Sequence, residues 1–429
     1  MSRRTCLPAL LAAVTGLSVA PVAVAKPGRE PVIVVLRGGS MALDRHVARL
    51  MRAAGVTPKL RYRAALDGFS ASVTEGQLRR LRHDPEVAFV TPDAKVTATG
   101  TPVAPGETVP AGIRRIGAVT TTEAHGASTS AVAVLDTGVA LTQPDLNVVS
   151  GTNCIKPGTT AADDNGHGTH VAGTIAARNN GSGVVGVSPG TRVYAVKVLG
   201  SNRSGTLSQL LCGINWVAAN AATLNIKVAN MSISGAGGND NNCGNTNKDA
   251  EHKAICAAVS TGVSFVVSAG NNATNFSTSV PAAYPEVLTA TATTDTDGSP
   301  GGHGAVPTCK KGETDDSYGT YSNYAVAAAD QAHVVAAPGT CVISDSRTTG
   351  TATYYGTSQA APHVAGAVAL CLGSSGVSGP CDGLSPAQII SRIRADAAAA
   401  GTLSNGFRGD PLRPLTGRYF GYLVAAAAY

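Results

Sequence analysis

A serine placed where a helix begins can do more than cap it. In Gly356-Thr-Ser358-Gln-Ala-Ala-Pro-His-Val-Ala-Gly366 the serine precedes an apolar run over residues 367–372. Backbone N–H groups point outward at a helix start, which also carries partial positive charge. Negative charge developing beside Ser358 would be stabilised there. Pro362 suits a first helical turn, where its missing N–H costs nothing. For one serine alone, an ordinary cap is the plainer reading. Two upstream stretches add chemistry. In Ala131-Val-Ala-Val-Leu-Asp136-Thr-Gly a short apolar run ends in a carboxylate. That is the pattern of a buried strand with Asp136 at its C-terminal edge, where ligands gather in open α/β sheets. In Asp164-Asn-Gly-His167-Gly-Thr-His170 a polar, glycine-containing turn leads into a helix. Asp136, His167 and Ser358 can therefore supply an orienting acid, a base and a nucleophile.

The elements that must position them alternate along the chain. Residues 192–199, 227–233, 264–268 and 287–291 read as strands, and residues 206–222 and 249–259 as helices. Ser385 caps a last helix over 385–400, and 418–427 reads as a closing strand. The alternation predicts an α/β fold, a mostly parallel sheet with helices on both faces. Roughly 300 residues can bury a sizeable core. The strand at 264–268 ends in Ala-Gly-Asn271-Asn272, which brings an amide to the same sheet edge. Gly-Asn also turns chains without doing chemistry, a role that suits Asn272.

Together these motifs resemble the subtilisin-like serine protease family, including the proteinase K type, over about residues 107–402. The resemblance implies a subtilisin-like fold and a secreted endopeptidase acting through an acyl-enzyme. It makes Ser358 the nucleophile, His167 the general base and Asp136 its orienting partner. Asn271 becomes the oxyanion donor, beside the Ser358 backbone N–H. Substrate would lie as an extended strand between Ser232-Ile233-Ser234-Gly235 and Arg203-Ser204-Gly205. Leu207 and Leu210 would wall an apolar pocket. No acidic residue occurs in 232–238 or 268–272, which argues against strict cleavage after Lys or Arg. Broad cleavage after apolar or aromatic residues fits better.

The resemblance also implies a structural Ca²⁺ and no catalytic cofactor. Asp145 matches the family's carboxylate ligand. The loop through Arg178, Asn180, Ser182 and Val184 matches one that supplies an amide oxygen and three carbonyls. Glu107 stands where the mature N-terminus usually supplies a Gln oxygen, completing a set of hard oxygen donors. Gln359 replaces the methionine usual beside the nucleophile. The stretch after His333 lacks an acidic residue often found there, so a second metal would need Asp330 instead.

Ahead of the catalytic stretches, Arg3 and Arg4 precede an apolar segment ending Ala23-Val-Ala25, the pattern of a cleaved secretory signal over 1–25. Residues 26–96 alternate strand-like runs (32–36, 61–65, 69–73, 87–90) with helical ones (41–54, 75–83). This small α+β unit has phrases resembling the family's inhibitory propeptide. Residues 97–107, rich in Pro and Gly, read as a processing linker, and 108–429 as the peptidase. The propeptide would be the enzyme's own intramolecular inhibitor.

Charge divides along the same line. Residues 26–96 hold 13 basic and 7 acidic side chains, while the chain totals are 33 and 27. The excess positive charge thus belongs to the removable segments and gives no reason to propose nucleic acid or membrane partners. A monomer acting on proteins and peptides is the simplest reading. Cys6 falls in the signal; the remaining eight cysteines suggest disulfides, with 243–256 and 371–381 the easiest pairs. Two rival readings differ in class. Asp163, Asp164, His167 and His170 could form a metal site, but no Glu follows the first histidine as in H-E-x-x-H. A catalytically silent binding protein on the same scaffold is the other.

Overall fold

The computed structural model describes residues 28–37, 43–62, 66–93, 101–120 and 122–429. The expected signal segment and linker residues 97–100 lie outside them. The chain forms two compact units, Met1–Ala98 and Thr99–Tyr429.

The first unit runs β1 (Glu30–Leu36), α1 (Leu43–Ala54), β2 (Pro58–Tyr62), β3 (Gly68–Val73), α2 (Glu75–Arg82) and β4 (Val87–Pro92). Its antiparallel sheet has the order β2-β3-β1-β4. Val32, Val34 and Leu36 alternate inward on β1 and pack with Val47, Leu50 and Leu81 from the helices. Helix α2 starts in a capping box, with Thr74 and Gln77 satisfying each other's backbone N–H groups. This is the α+β unit expected of 26–96. Residues 63–65 and 41–42 of the predicted elements are not among those described.

In the second unit the strands of the main sheet are β5 (Ala131–Asp136), β6 (Asn147–Asn153), β7 (Arg192–Lys197), β8 (Ile226–Met231), β9 (Ser264–Ser268), β10 (Leu288–Thr294), β11 (Ser317–Tyr318) and β12 (Val334–Pro338). The order β6-β7-β5-β8-β9-β10-β12 is parallel throughout, with β11 antiparallel to β10. Succeeding strands leave β5 in both directions, making its C-terminal end a topological switch point, where open α/β sheets hold ligands. The longer helices are α3 (His167–Ala176), α4 (Leu207–Asn220), α5 (Ala250–Val259), α6 (Thr357–Leu372) and α7 (Pro386–Ala400). On β5, Val132 and Val134 face a core shared with α3 and α6, whereas Ala133 and Leu135 face one shared with α4 and α5. Helices on both faces explain why β5 reads as an unbroken apolar run.

The predicted strands and helices appear within a few residues of their expected ends, and Ser385 does cap α7. The closing strand over 418–427 does not form. That segment touches the sheet only through single bridges, Ala325 with Tyr419 and Ala336 with Leu423, and ends in a short turn of 3-10 helix at Ala426–Ala428. Gly421, at φ 86°, breaks the extended backbone between those contacts. Residues 101–107, expected in the linker, are bonded into the second unit: Val103 N–H reaches Thr122 O, and Ala104 N–H reaches Asn179 Oδ1 at 2.7 Å. Four disulfides join Cys154–Cys212, Cys243–Cys256, Cys309–Cys341 and Cys371–Cys381, including both pairs anticipated from proximity.

One buried side chain fastens the end of β5 to the start of α3. Asp163 Oδ1 accepts from the Thr137 hydroxyl (2.8 Å) and from the N–H groups of Asn165 and Gly166 (both 2.9 Å). Its Oδ2 accepts from Thr169 N–H (3.0 Å) and hydroxyl (2.5 Å). Replacing it with alanine leaves several buried donors unpaired, each costing about 1–3 kcal/mol. Asp163→Ala should therefore lose at least about 2 kcal/mol in urea unfolding, and Asp163→Asn, which keeps one acceptor oxygen, should lose less. A wild-type unfolding midpoint for Asp163→Ala would contradict this role.

Candidate active site

Asp136 ends β5 with its side chain wholly buried. Its Oδ1 accepts from Thr137 N–H at 2.7 Å and faces His167 Nδ1 at 2.8 Å. His167 can reach it because Gly168 lets α3 come close: a Cβ there would lie 2.0 Å from Gly138 O and 3.1 Å from Asp136 Cβ. Burial pulls the His167 pKa down, but Asp136 raises it by charge and hydrogen bond, with Arg203 opposing and Asp163 assisting; the balance is upward. Lys197, itself buried, donates to Thr137 O (2.6 Å), Asp164 Oδ1 (2.7 Å) and Leu199 O (2.9 Å), which pins the chain leaving β5 to β7.

Ser358 is the second residue of α6, and every other residue of that helix except Ser358 is buried. Its Oγ donates to Ser232 O at 3.3 Å, while Ser232 Oγ donates back to Ser358 O at 2.8 Å. No hydrogen bond joins Ser358 to His167 among the described residues. Uncomplexed catalytic sites are often loose in this way, and rotation about one side-chain bond redirects a serine hydroxyl.

Exposed Asn271 follows β9. Its Oδ1 accepts from Thr357 N–H (2.8 Å) and from the Thr357 hydroxyl (3.0 Å). That hydroxyl also accepts from Gly270 N–H at 3.1 Å. With the oxygen so engaged, the Nδ2 donors face away from Thr357 and remain available. Thr357, buried beside the nucleophile motif, was not singled out by sequence; only the assembled edge reveals what it holds.

The metal alternative drawn from Asp163, Asp164, His167 and His170 is not supported by their placement. Asp163 and Asp164 are occupied as described, and His170 bonds Val342 O at 3.0 Å and stacks on Tyr354 at 4.5 Å. Burial takes its pKa down to about 3, as suits a neutral packed imidazole.

The proposed substrate edges are open. Ser234 and Gly235 are exposed, and Gly235–Ala236 pairs on one side with Ser279–Val280. Arg203, Ser204 and Gly205 are exposed and lie outside any strand, with Arg203 Nε bonded to Asn165 Oδ1 at 3.2 Å. Leu207, Leu210 and Ile233 line one pocket of about 260 Å³. Glu251 also lines it, a carboxylate that sequence reading missed because it lies on a different helix, α5. Burial, then the charge of Asp249, pushes the Glu251 carboxyl up to about 7.

The residues expected to hold Ca²⁺ also converge. Glu107 Oε2 accepts from Asn180 and Gly181 N–H groups, and Asn180 Nδ2 faces Asp145 Oδ1 at 2.9 Å. Arg178 N–H reaches Asp145 O, and Val184 N–H reaches Asp145 Oδ2. Ser182 N–H is held by Asn180 Oδ1 at 3.0 Å. A third carboxylate, Asp345 at the end of the strand Val342–Asp345, joins them unannounced by any motif. Glu107 Oε1 and Asp345 Oδ2 are buried without hydrogen-bond partners. Burial raises the pKa of Glu107, Asp145 and Asp345, and the neighbouring carboxylates add to it for Glu107 and Asp345. Hard oxygens with unmet capacity suit a divalent cation. Asn180 would present oxygen to it once its amide turns over.

Residues 127–408 match the subtilase family, Peptidase S8, and residues 40–99 match the peptidase inhibitor I9 family. Subtilisin NAT of Bacillus subtilis subsp. natto is 35% identical over 308 residues, covering 71% of this chain and 70% of that protein. The alkaline protease of Alkalihalobacillus alcalophilus is 35% identical over 306 residues, covering 70% and 68% respectively. The crystal structure of a cold adapted subtilisin-like serine proteinase aligns with a TM-score of 0.53 at 27% identity, over 75% of this chain and 98% of that one. The parallel sheet, the buried Asp136–His167 pair and this similarity lead to one conclusion: the chain belongs to the subtilase family, a subtilisin-type serine endopeptidase preceded by an I9-type propeptide.

Proposed function

We propose that Ser358, His167, Asp136 and Asn271 carry out peptide-bond hydrolysis in a secreted, self-processing enzyme. The observation that carries the assignment is the buried 2.8 Å contact between Asp136 Oδ1 and His167 Nδ1, at the sheet edge that also presents Ser358 and Asn271. Asp136 keeps the proton on Nδ1, so Nε2 is the basic nitrogen. The Ser358 hydroxyl turns from Ser232 O, attacks the peptide carbonyl and passes its proton to Nε2. The oxyanion is met by Asn271 Nδ2 and the Ser358 N–H. Collapse expels the amine, which takes the proton from His167, and leaves an acyl-enzyme. Water then attacks along the same route, with His167 again as base, releasing the acid and restoring Ser358. The 203–205 and 232–235 segments hold substrate as an extended strand, with broad cleavage after apolar or aromatic residues.

Residues 1–25 direct secretion, and 26–96 act as the inhibitor until cleavage within about residues 95–107, where the sequence is rich in Pro and Gly. Among the described residues no helix is long and apolar enough to cross a membrane. Glu107, Asp145 and Asn180, with the carbonyls of Arg178, Ser182 and Val184, would hold a Ca²⁺ that supplies rigidity and no chemistry; Asp345 adds charge to that set.

Ser358→Ala should abolish hydrolysis and leave the full-length chain unprocessed, as read by mass spectrometry. Asn271→Ala should process slowly and lose about 10²–10³ in kcat, the size known for this donor in subtilisin. Normal processing by Ser358→Ala would overturn the assignment.

The pH profile follows from His167. The base works only when neutral, and Asp136 holds its pKa above 6.5. kcat/KM should therefore rise with pH through a midpoint above that value. A midpoint clearly below it would contradict Asp136's role.

Ca²⁺ bound only by the native state adds stability by mass action. Excess chelator should lower the melting temperature of purified Ser358→Ala protein, and added Ca²⁺ should restore it. An unchanged melting temperature would remove the metal from the reading.

A further inference from the structure

The pocket walled by Leu207, Leu210, Ile233 and Val280 is lined mostly by apolar side chains; beside the hydroxyls of Thr206 and Ser234 it holds one ionisable group, the carboxylate of Glu251. Glu251 is the second residue of α5, and its side chain is 7% exposed. Oε1 is buried and accepts no hydrogen bond, and no ion pair or hydrogen bond reaches the carboxylate from any described residue. The polar groups around it are engaged elsewhere. Asp249 takes the N–H groups of Glu251 and His252 and, through its other oxygen, the Tyr284 hydroxyl at 2.5 Å. His252 lies between Asp240 (3.3 Å) and Glu286 (2.8 Å).

A buried carboxylate without donors is costly, and a leucine at this position would continue the apolar wall at no such cost. The group makes physical sense if its partner arrives from outside. That partner must have an aliphatic stem to lie against Leu207, Leu210 and Val280 and a cationic head to reach the carboxylate. Lys and Arg side chains have that division. We propose that Glu251 makes this pocket a subsite for a basic side chain of the substrate.

The inference rests on the reading of 203–205 and 232–235 as the substrate's two edges. It also places the basic residue. Gly235 and Ala236, which border the pocket, stand three and four residues beyond Ser232, whose carbonyl receives the Ser358 hydroxyl. A substrate strand advances about 3.3 Å per residue. The side chain entering the pocket therefore belongs to a residue two to four positions ahead of the scissile bond, not to the residue at the bond. The enzyme then combines an apolar preference next to the cleaved bond with a cationic preference further along.

The test uses mature enzyme and fluorogenic peptides that differ at one position, each carrying either lysine or norleucine, which has a similar stem without the charge. Each position from the second to the fourth before the bond is scanned, at a pH above the titration of Glu251. At one of them the wild type should favour lysine in kcat/KM by about 10- to 100-fold, the range of a charge-assisted hydrogen bond. Glu251→Gln should bring that ratio close to one and leave selectivity at the bond itself unchanged. Glu251→Leu should reverse it in favour of norleucine. A wild-type ratio of one or less at every position would overturn the proposal without need of a variant, as would an equal lysine preference in wild type and Glu251→Gln. Leu210→Ala separates this failure from failure of the cleft reading. If only the role of Glu251 is wrong, Leu210→Ala still changes selectivity among apolar residues at one of these positions. If the cleft itself is misplaced, Leu210→Ala changes none of them.

Discussion

A carboxylate withdrawn completely from water must be given donors, and Asp136 is such a group at the end of the central strand. Its donors come from two places, the next backbone N–H and the first residue of α3. For His167 to be one of them, α3 must begin almost in contact with the strand end. Gly168 permits that approach, and Asp163 holds the turn that makes it, gathering five hydrogen bonds from both sides of the junction. The geometry of the Asp136–His167 pair is thus a consequence of satisfying buried polar groups. Lys197 repeats the principle on the neighbouring strand, a buried ammonium that finds three oxygens.

Asp136 meets this need through Oδ1 alone, its Oδ2 being buried without a partner, and unmet capacity also appears at two other places. Glu251 and Asp345 are buried carboxylates with an oxygen that no group in the described structure bonds, and Glu107 has one as well. Each lies where something other than the chain can enter: a pocket beside the exposed 203–205 and 234–236 segments, or a loop rich in oxygen atoms. Asp345 also ends the strand that leads, through the hairpin with Thr351–Tyr354, to the Ser358 helix. The same hairpin covers His170 and so packs against the helix that starts with His167.

Helix α6 gives Ser358 its setting. Alanine is its commonest residue, so it can be buried on all sides with little side-chain entropy to lose. Ser358 alone escapes burial, because it sits at the one end where the helix meets the sheet edge. Thr357 fixes that end by bonding both Gly270 and Asn271, which ties the Asn271 amide to the helix that carries Ser358. The I9-type unit keeps a separate core, with the Arg49–Asp84 and Arg49–Glu86 pairs closing one end of its helix packing.

The sequence by itself determined most of the architecture and the four residues proposed for the chemistry. Unbroken apolar runs identify strands buried on both faces, and Asp136, His167, Ser358 and Asn271 each stand at an element end where local pattern is legible. Proximity along the chain was also enough to anticipate Cys243–Cys256 and Cys371–Cys381. The polar strand Asn147–Asn153 and the absence of a strand at 418–427 were beyond that logic, since sheet pairing rather than periodicity decides them. Beyond it too were Asp163, Thr357, Asp345 and Glu251. What matters about each is which distant groups surround it, and burial with or without a partner is a property of three-dimensional neighbours. A glutamate one residue into an amphipathic helix looks like a solvated side chain; only packing against α4 and the 233–236 segment makes it the one charge in an apolar pocket.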